Sequence, residues 1–162
     1  MDKLQAMTEG GARLRAVRET VVAKVKPGVV LGELEELANK LILKSGGEAA
    51  FKKVPGYRWA TCINVNEGVV HGIPADYVIK AGDVVSVDVG MVYRGWYTDT
   101  STTVVAGGKK DRAKDKLLAV GKQALTEAIQ EARVGNRIGH ISLAMERVLR
   151  AGGMSPVETL TG

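Results

Sequence analysis

The chain has 162 residues, 45% of them hydrophobic and 25% charged, enough for one domain with a real core and an ordinary balance for a soluble globular protein. No apolar run approaches the ~20 residues of a membrane helix and the N-terminus lacks a signal-peptide pattern, so a cytoplasmic protein with no membrane partner is expected. The net charge of +5 is modest and scattered, which argues against specific nucleic-acid binding, while the single cysteine, Cys62, excludes an internal disulfide and suits a reducing compartment.

Residues from about Asp2 to Val25 read as a helix, with Leu14, Val17, Val21 and Val25 at helical spacing. Gly10-Gly11 inside it costs roughly 1 kcal/mol per glycine relative to alanine, which predicts close packing there. Pro27-Gly28 ends this helix. Leu34, Leu37, Ala38, Leu41 and Ile42 form a second apolar stripe that stops at Ser45-Gly46-Gly47. A short strand is expected over about 48–53, followed by a loop carrying Pro55, Gly56, Tyr57 and Trp59. Thr61 to Asn66 alternates as a strand, and Gly68 to Pro74 is expected to continue as strand then turn.

Val84 to Val105 is the stretch around which the rest is organised. Val84, Val85, Val87 and Val89 form one β-branched arm, Thr98 to Val105 a second, and Arg94-Gly95 falls where a tight hairpin turn belongs. A two-residue loop pairs even with odd numbers, so Asp88 and Asp99 project from the same face. Such residues lie roughly 5 Å apart when directly opposite and about 7–8 Å apart on the diagonal. Two anions that close require neutralisation, and a divalent metal is the simplest candidate. The residues alone leave a second reading open, in which Ser86, Asp88 and Gly90 are the solvent face of a half-buried strand.

After Gly107-Gly108 the pattern returns to helix, from about Arg112 to Arg133 and again from about Ile138 to Ala151. A shift of 107 residues superposes Gly28 on Gly135, Leu31 on Ile138, Leu34 on Ile141, Ile42 on Leu149 and Gly46 on Gly153. The chain therefore reads as a repeated helix–helix–sheet unit, the first over about 1–107 and the second beginning at about 108–162 with a strand from near Pro156. Completing the second unit takes roughly fifty more residues, so the sequence reads as one incomplete domain, a fragment or a chain that takes its missing sheet from a partner. An unpaired sheet edge favours dimerisation or aggregation of such a piece.

Cys62, His71, Asp88 and Asp99 fall in one β region, an oxygen-rich set with a neutral imidazole nearby, as two-metal hydrolysis requires. Cys62 through Pro74 (CINVNEGVVHGIP), Gly82 through Gly90 (GDVVSVDVG) and Gly95 through Ser101 (GWYTDTS) closely resemble type I methionine aminopeptidases, as does Val25 through Leu34. The resemblance runs from the first helix to the last residue. It implies the α/β pita-bread fold, two pseudo-symmetric halves facing a di-metal site, with the second half incomplete here.

It further implies that Asp88 chelates one metal and Asp99 bridges two divalent ions (Co, Mn, Fe or Zn). His71 is implied to hydrogen-bond the peptide near the scissile bond, and Cys62 and Tyr57 to line the pocket for the methionine side chain. The implied substrate is the N-terminal methionine of nascent proteins, with work near the ribosome and a monomeric complete enzyme. The family's remaining ligands, one His and two Glu, lie beyond a Gly-His-Gly element to which Thr159-Leu160-Thr161-Gly162 reads as the lead-in, so the chain alone is expected to be inactive. His140 is expected to be a helix-start residue. The competing readings are a non-catalytic half pita-bread binding module and a prolidase or aminopeptidase P relative.

Overall fold

In the computed structural model the structure describes residues 2–108 and 110–157. The chain divides into two compact units, Met1–Lys109 and Lys110–Gly162. In the first, helices α1 (Lys3–Val22) and α2 (Leu31–Lys44) precede strands β1 (Glu48–Ala49), β2 (Thr61–Val65), β3 (Val84–Tyr93) and β4 (Trp96–Val105). The second contains α3 (Arg112–Glu131) and α4 (Ile138–Ala151).

Strand β3 is the axis of an antiparallel sheet. One of its edges pairs with β4 along the whole length, from Val84↔Val105 to Tyr93↔Trp96. The other edge is shared: β2 takes residues 85–89 and β1 takes 91–92. The β3–β4 turn is Arg94-Gly95, with φ of 50° and 82°. Positive φ at both central residues is the geometry whose twist matches the flanking strands. The second β3 face buries Val85, Val87, Val89 and Met91 completely.

The two helices cover that face because their apolar stripes match it. Leu14, Val17 and Val21 of α1 and Leu34, Ala38 and Ile42 of α2 are at most 3% exposed and join the four β3 side chains in one core. Gly10 fits the expectation of close packing, since a β-carbon there would lie 3.2 Å from Tyr93 Cβ, whereas Gly11 faces open space. Helix α1 stops at Val22, three residues short of the sequence boundary. Its end tightens through bonds from Lys24 N to Val21 O and from Val25 N to Val22 O, the i to i−3 pattern of a 3₁₀ turn.

Two expected strands are shorter or absent. Only Glu48–Ala49 pairs, after which Phe51–Lys53 forms a 3₁₀ turn. The cause is the shared edge: Ala50 N bonds Gly90 O at 3.0 Å, and beyond that point β2 occupies β3, so the chain must turn away. Gly90 makes the turn possible, because a β-carbon there would meet Phe51 Cε1 at 2.6 Å. The segment 68–74 is not a strand. His71 adopts φ +56°, which interrupts an extended path.

In the second unit α3 begins at an Asp111 cap that accepts from Ala113 N. Helix α4 starts where expected, and His140 Nδ1 accepts from Arg137 N at 3.0 Å, which makes it a helix-start residue. The repeat is visible in the backbone of each unit: α2 and α4 are both 14 residues long, Gly28 and Gly135 have φ of 90° and 95°, and Gly46 and Gly153 have 80° and 74°. Residues 154–157 carry no helix or strand, and the rest of the strand expected from Pro156, with Thr159–Gly162, lies outside the described residues.

Among the described residues of the first unit two charged ones are buried, Glu35 and Asp83, and the first of them organises a strand. Glu35 of α2, 9% exposed, accepts from Ala60 N at 2.7 Å, Thr61 N at 2.9 Å and Thr61 Oγ1 at 2.7 Å. It fixes where β2 starts. Glu35→Ala leaves three buried donors without a partner and is expected to destabilise the protein by about 3 kcal/mol. Glu36→Ala, at the exposed neighbouring position, is expected to change stability by no more than about 0.5 kcal/mol. Urea unfolding of the two variants checks this, and equal midpoints would remove the clamp from the account.

Candidate active site

A cavity of about 440 Å³ opens on the face of β3 opposite the core. The five residues singled out in the sequence, Tyr57, Cys62, His71, Asp88 and Asp99, all line it, together with Phe51, Val54 and Ile73. The cavity has a charged end and an apolar end, and each follows from local structure.

The charged end is built by strand register. Asp88 stands between Val87 and Val89, whose side chains are locked in the core, so its own must point the other way. Its direct partners are Cys62 on β2 and Ser101 on β4, while Asp99 sits opposite Gly90. Asp88 and Asp99 are therefore diagonal neighbours on one face, as the hairpin parity requires. Their settings differ: Asp88 is half-buried and Asp99 exposed. Burial, then the adjacent Asp99 charge and a hydrogen bond to Asp99, pushes the Asp88 carboxyl up to about 7. The reading of Asp88 as an ordinary solvent-facing carboxylate does not fit that environment.

The apolar end is a wall of rings and sulfur. The 3₁₀ turn and the loop that follows it bring Phe51, Val54 and Tyr57 to the cavity, and the Phe51 and Tyr57 rings meet edge-on with centroids 6.5 Å apart. Tyr57 Oη donates to Thr61 O at 2.7 Å and lies 3.2 Å from Cys62 Sγ. Burial, followed by the bond to the thiol, raises the Tyr57 phenol above its ordinary range. Burial also pushes the Cys62 thiol up, and the Asp88 and Asp99 charges add to it against the opposing phenol bond. At neutral pH this wall is uncharged. The thiol is protonated and so unsuited to nucleophilic attack.

His71 stands exposed at the cavity rim. Phe51 and Val54 were not legible as site residues. Neither carries a sequence signal of its own: Phe51 lies in the short 3₁₀ turn and Val54 just after it, in extended backbone. Among the described residues no cluster of three or more His, Cys, Asp or Glu side chains is arranged around a common point; the charged end consists of the two aspartates.

The carboxylate pair makes stability depend on pH. In the unfolded chain Asp88 releases its proton near 4, whereas in the folded metal-free protein it keeps it up to about 7. At Asp88 the folded state thus binds more protons between these values, and this group's contribution to stability falls as pH rises from about 4 to about 7. Thermal melts of the metal-free protein are expected to show this decline. Asp99→Asn, which removes the facing charge but not the burial, is expected to make it shallower, and an unchanged slope would show that the two groups do not interact.

The sequence matches the model of metallopeptidase family M24 over residues 5–162. Methionine aminopeptidase 1 of Bacillus subtilis is 35% identical over 160 residues, which are 99% of this chain and 64% of that protein. Among solved structures, methionine aminopeptidase from Thermotoga maritima aligns with a TM-score of 0.89 at 34% identity, covering 93% of this chain and 61% of that one. The enzyme from Rickettsia prowazekii aligns with a TM-score of 0.90 at 27% identity, covering 98% and 63%. The chain thus spans less than two thirds of the length of these relatives, and the helices and antiparallel sheet described above are the corresponding part of their pita-bread fold. With the family model matched along nearly its whole length and a paired-aspartate face in the same chain, the protein belongs to metallopeptidase family M24.

Proposed function

We propose that this chain carries the first-half site of a metal-dependent aminopeptidase that removes N-terminal methionine from nascent proteins. The observation that carries the reading is the junction of two aspartates with an uncharged, sulfur- and ring-lined pocket in one cavity. In this reading the first unit is the first half of the pita-bread domain and the second unit begins the other half.

The donor chemistry fits a divalent cation. Asp88 holds a proton to about 7 because burial disfavours its charge and Asp99 places a like charge beside it, and a cation would supply the missing counter-charge. Asp88 and Asp99 are the residues that would hold the metal. When bound, divalent cations such as Co²⁺, Mn²⁺, Fe²⁺ or Zn²⁺ supply Lewis acidity for hydrolysis of the amide. Hard carboxylate oxygens accept several of these metals, so identity is set by geometry and availability.

The remaining roles belong to the chain's own side chains. Cys62 and Tyr57, with Phe51 and Val54, form a soft wall that accepts a thioether and offers no charge to a Lys or Asp side chain. His71 at the rim donates or accepts a hydrogen bond at the peptide group next to the scissile bond and orients it. Water adds across that bond: the amide C–N breaks, the leaving nitrogen gains a proton, and free methionine and a shortened chain result. No described helix is long and apolar enough to cross a membrane; a cytoplasmic enzyme working near the ribosome, monomeric when complete, accords with such a substrate.

In the full-length protein Asp88→Asn and Asp99→Asn are each expected to abolish metal uptake and release of methionine from a Met-Ala-Ser peptide. Elemental analysis reads the first and amino-acid analysis the second. Unchanged metal stoichiometry in either variant would overturn the ligand assignment. The 162 residues alone are expected to release no methionine with added Co²⁺ or Mn²⁺, and robust turnover would show that these two carboxylates suffice.

A further inference from the structure

His71 reaches the cavity from a loop rather than from a strand, so something must fix the loop. Its backbone is left-handed, with φ +56°, a conformation uncommon for a residue bearing a β-carbon. The next residue is fastened on both sides of its peptide to strand β2. Gly72 O accepts from Ile63 N at 2.8 Å, and Gly72 N donates to Asn64 Oδ1 at 2.9 Å. The approach is close enough to require glycine: a β-carbon on Gly72 would lie 2.2 Å from Ile63 O and 2.7 Å from Asn64 Oδ1.

Asn64 is an unexpected residue for its place. It is 7% exposed, lies in the middle of β2 opposite Ser86, and shares the face of Cys62 and Asp88. A buried amide there needs a partner, and its side-chain oxygen finds one in the Gly72 amide. An extended backbone at His71 would rotate the 71–72 peptide and withdraw that N–H from Oδ1. Asn64 therefore selects the left-handed state.

We propose that Asn64 is the positioning residue for His71, holding the Gly72 amide so that the imidazole is kept at the cavity rim. The assignment rests on the reading of His71 as the side chain that meets the peptide. It predicts that the carboxamide oxygen, and not the bulk of the side chain, is what matters.

The test is NMR on the metal-free chain, comparing Asn64→Leu, which keeps the volume and loses the acceptor, with Asn64→Asp, which keeps the acceptor. Two signals are read: exchange of the Gly72 amide with solvent, and the ring resonances of His71, one of only two histidines in the chain. Asn64→Leu is expected to speed Gly72 exchange by about tenfold, the loss of one ordinary hydrogen bond, and to move the His71 ring signals toward those of a free imidazole. Asn64→Asp is expected to retain the wild-type values. Unchanged Gly72 exchange and His71 signals in a folded Asn64→Leu protein, with β3 and β4 amides still protected, would overturn the proposal, as would Asn64→Asp behaving like Asn64→Leu. Should the leucine variant fail to fold, Asn64→Ser, whose hydroxyl is too short to reach, is read by the same two signals with the same outcomes. Neither signal needs metal or peptide, so failure here is distinct from failure of the peptidase reading, which methionine release tests separately.

Discussion

The structure depends on the pairing register of β3 with β4. Side chains alternate along a strand, so the register that buries Val85, Val87 and Val89 also sends Asp88 to the cavity face beside Asp99. A slip of one residue would drive a carboxylate into the core and turn a valine toward solvent. Hydrophobic burial thus enforces an arrangement that electrostatics opposes, since two like charges on neighbouring strands repel. Burial first, and that repulsion second, let Asp88 retain its proton to about 7.

The surroundings keep the pair in place without neutralising it. Helices α1 and α2 cover the other face of the sheet, and the Glu35 carboxylate pins the start of β2 so that Cys62 comes level with Asp88. The same strand start sets the phenol of Tyr57 through the carbonyl of Thr61. The charged and uncharged ends of the cavity are therefore referenced to one strand, β2, from which the loop bearing His71 also hangs.

Much of this was legible in the sequence because it rests on short-range patterns. The turn at Arg94-Gly95 fixed the parity of the two arms, and parity placed Asp88 and Asp99 together. Helical spacing gave α1, α2, α3 and α4, and the glycines at 28 and 46 reappeared at 135 and 153 with matching backbone angles. What was not legible depended on competition between distant segments. Residues 48–53 have strand character, yet most do not pair because β2 already occupies that edge of β3. The segment 68–74 reads as strand then turn, yet His71 is left-handed because Asn64 and Ile63 hold the following glycine. Phe51 was illegible as a wall residue for the same reason, since it turns with the 3₁₀ segment where a strand over 48–53 was expected.

The change of partner along one edge of β3, from β2 to β1 at Gly90, leaves a notch in the sheet that the Phe51 turn fills. The ring-bearing part of the pocket wall, Phe51 and Tyr57, is thus hung on a connecting segment, residues 50–60, whereas both aspartates stand on β3 and β4. Ring wall and acidic pair therefore answer to different constraints: the one to a connecting segment, the other to the core that sets the strand register.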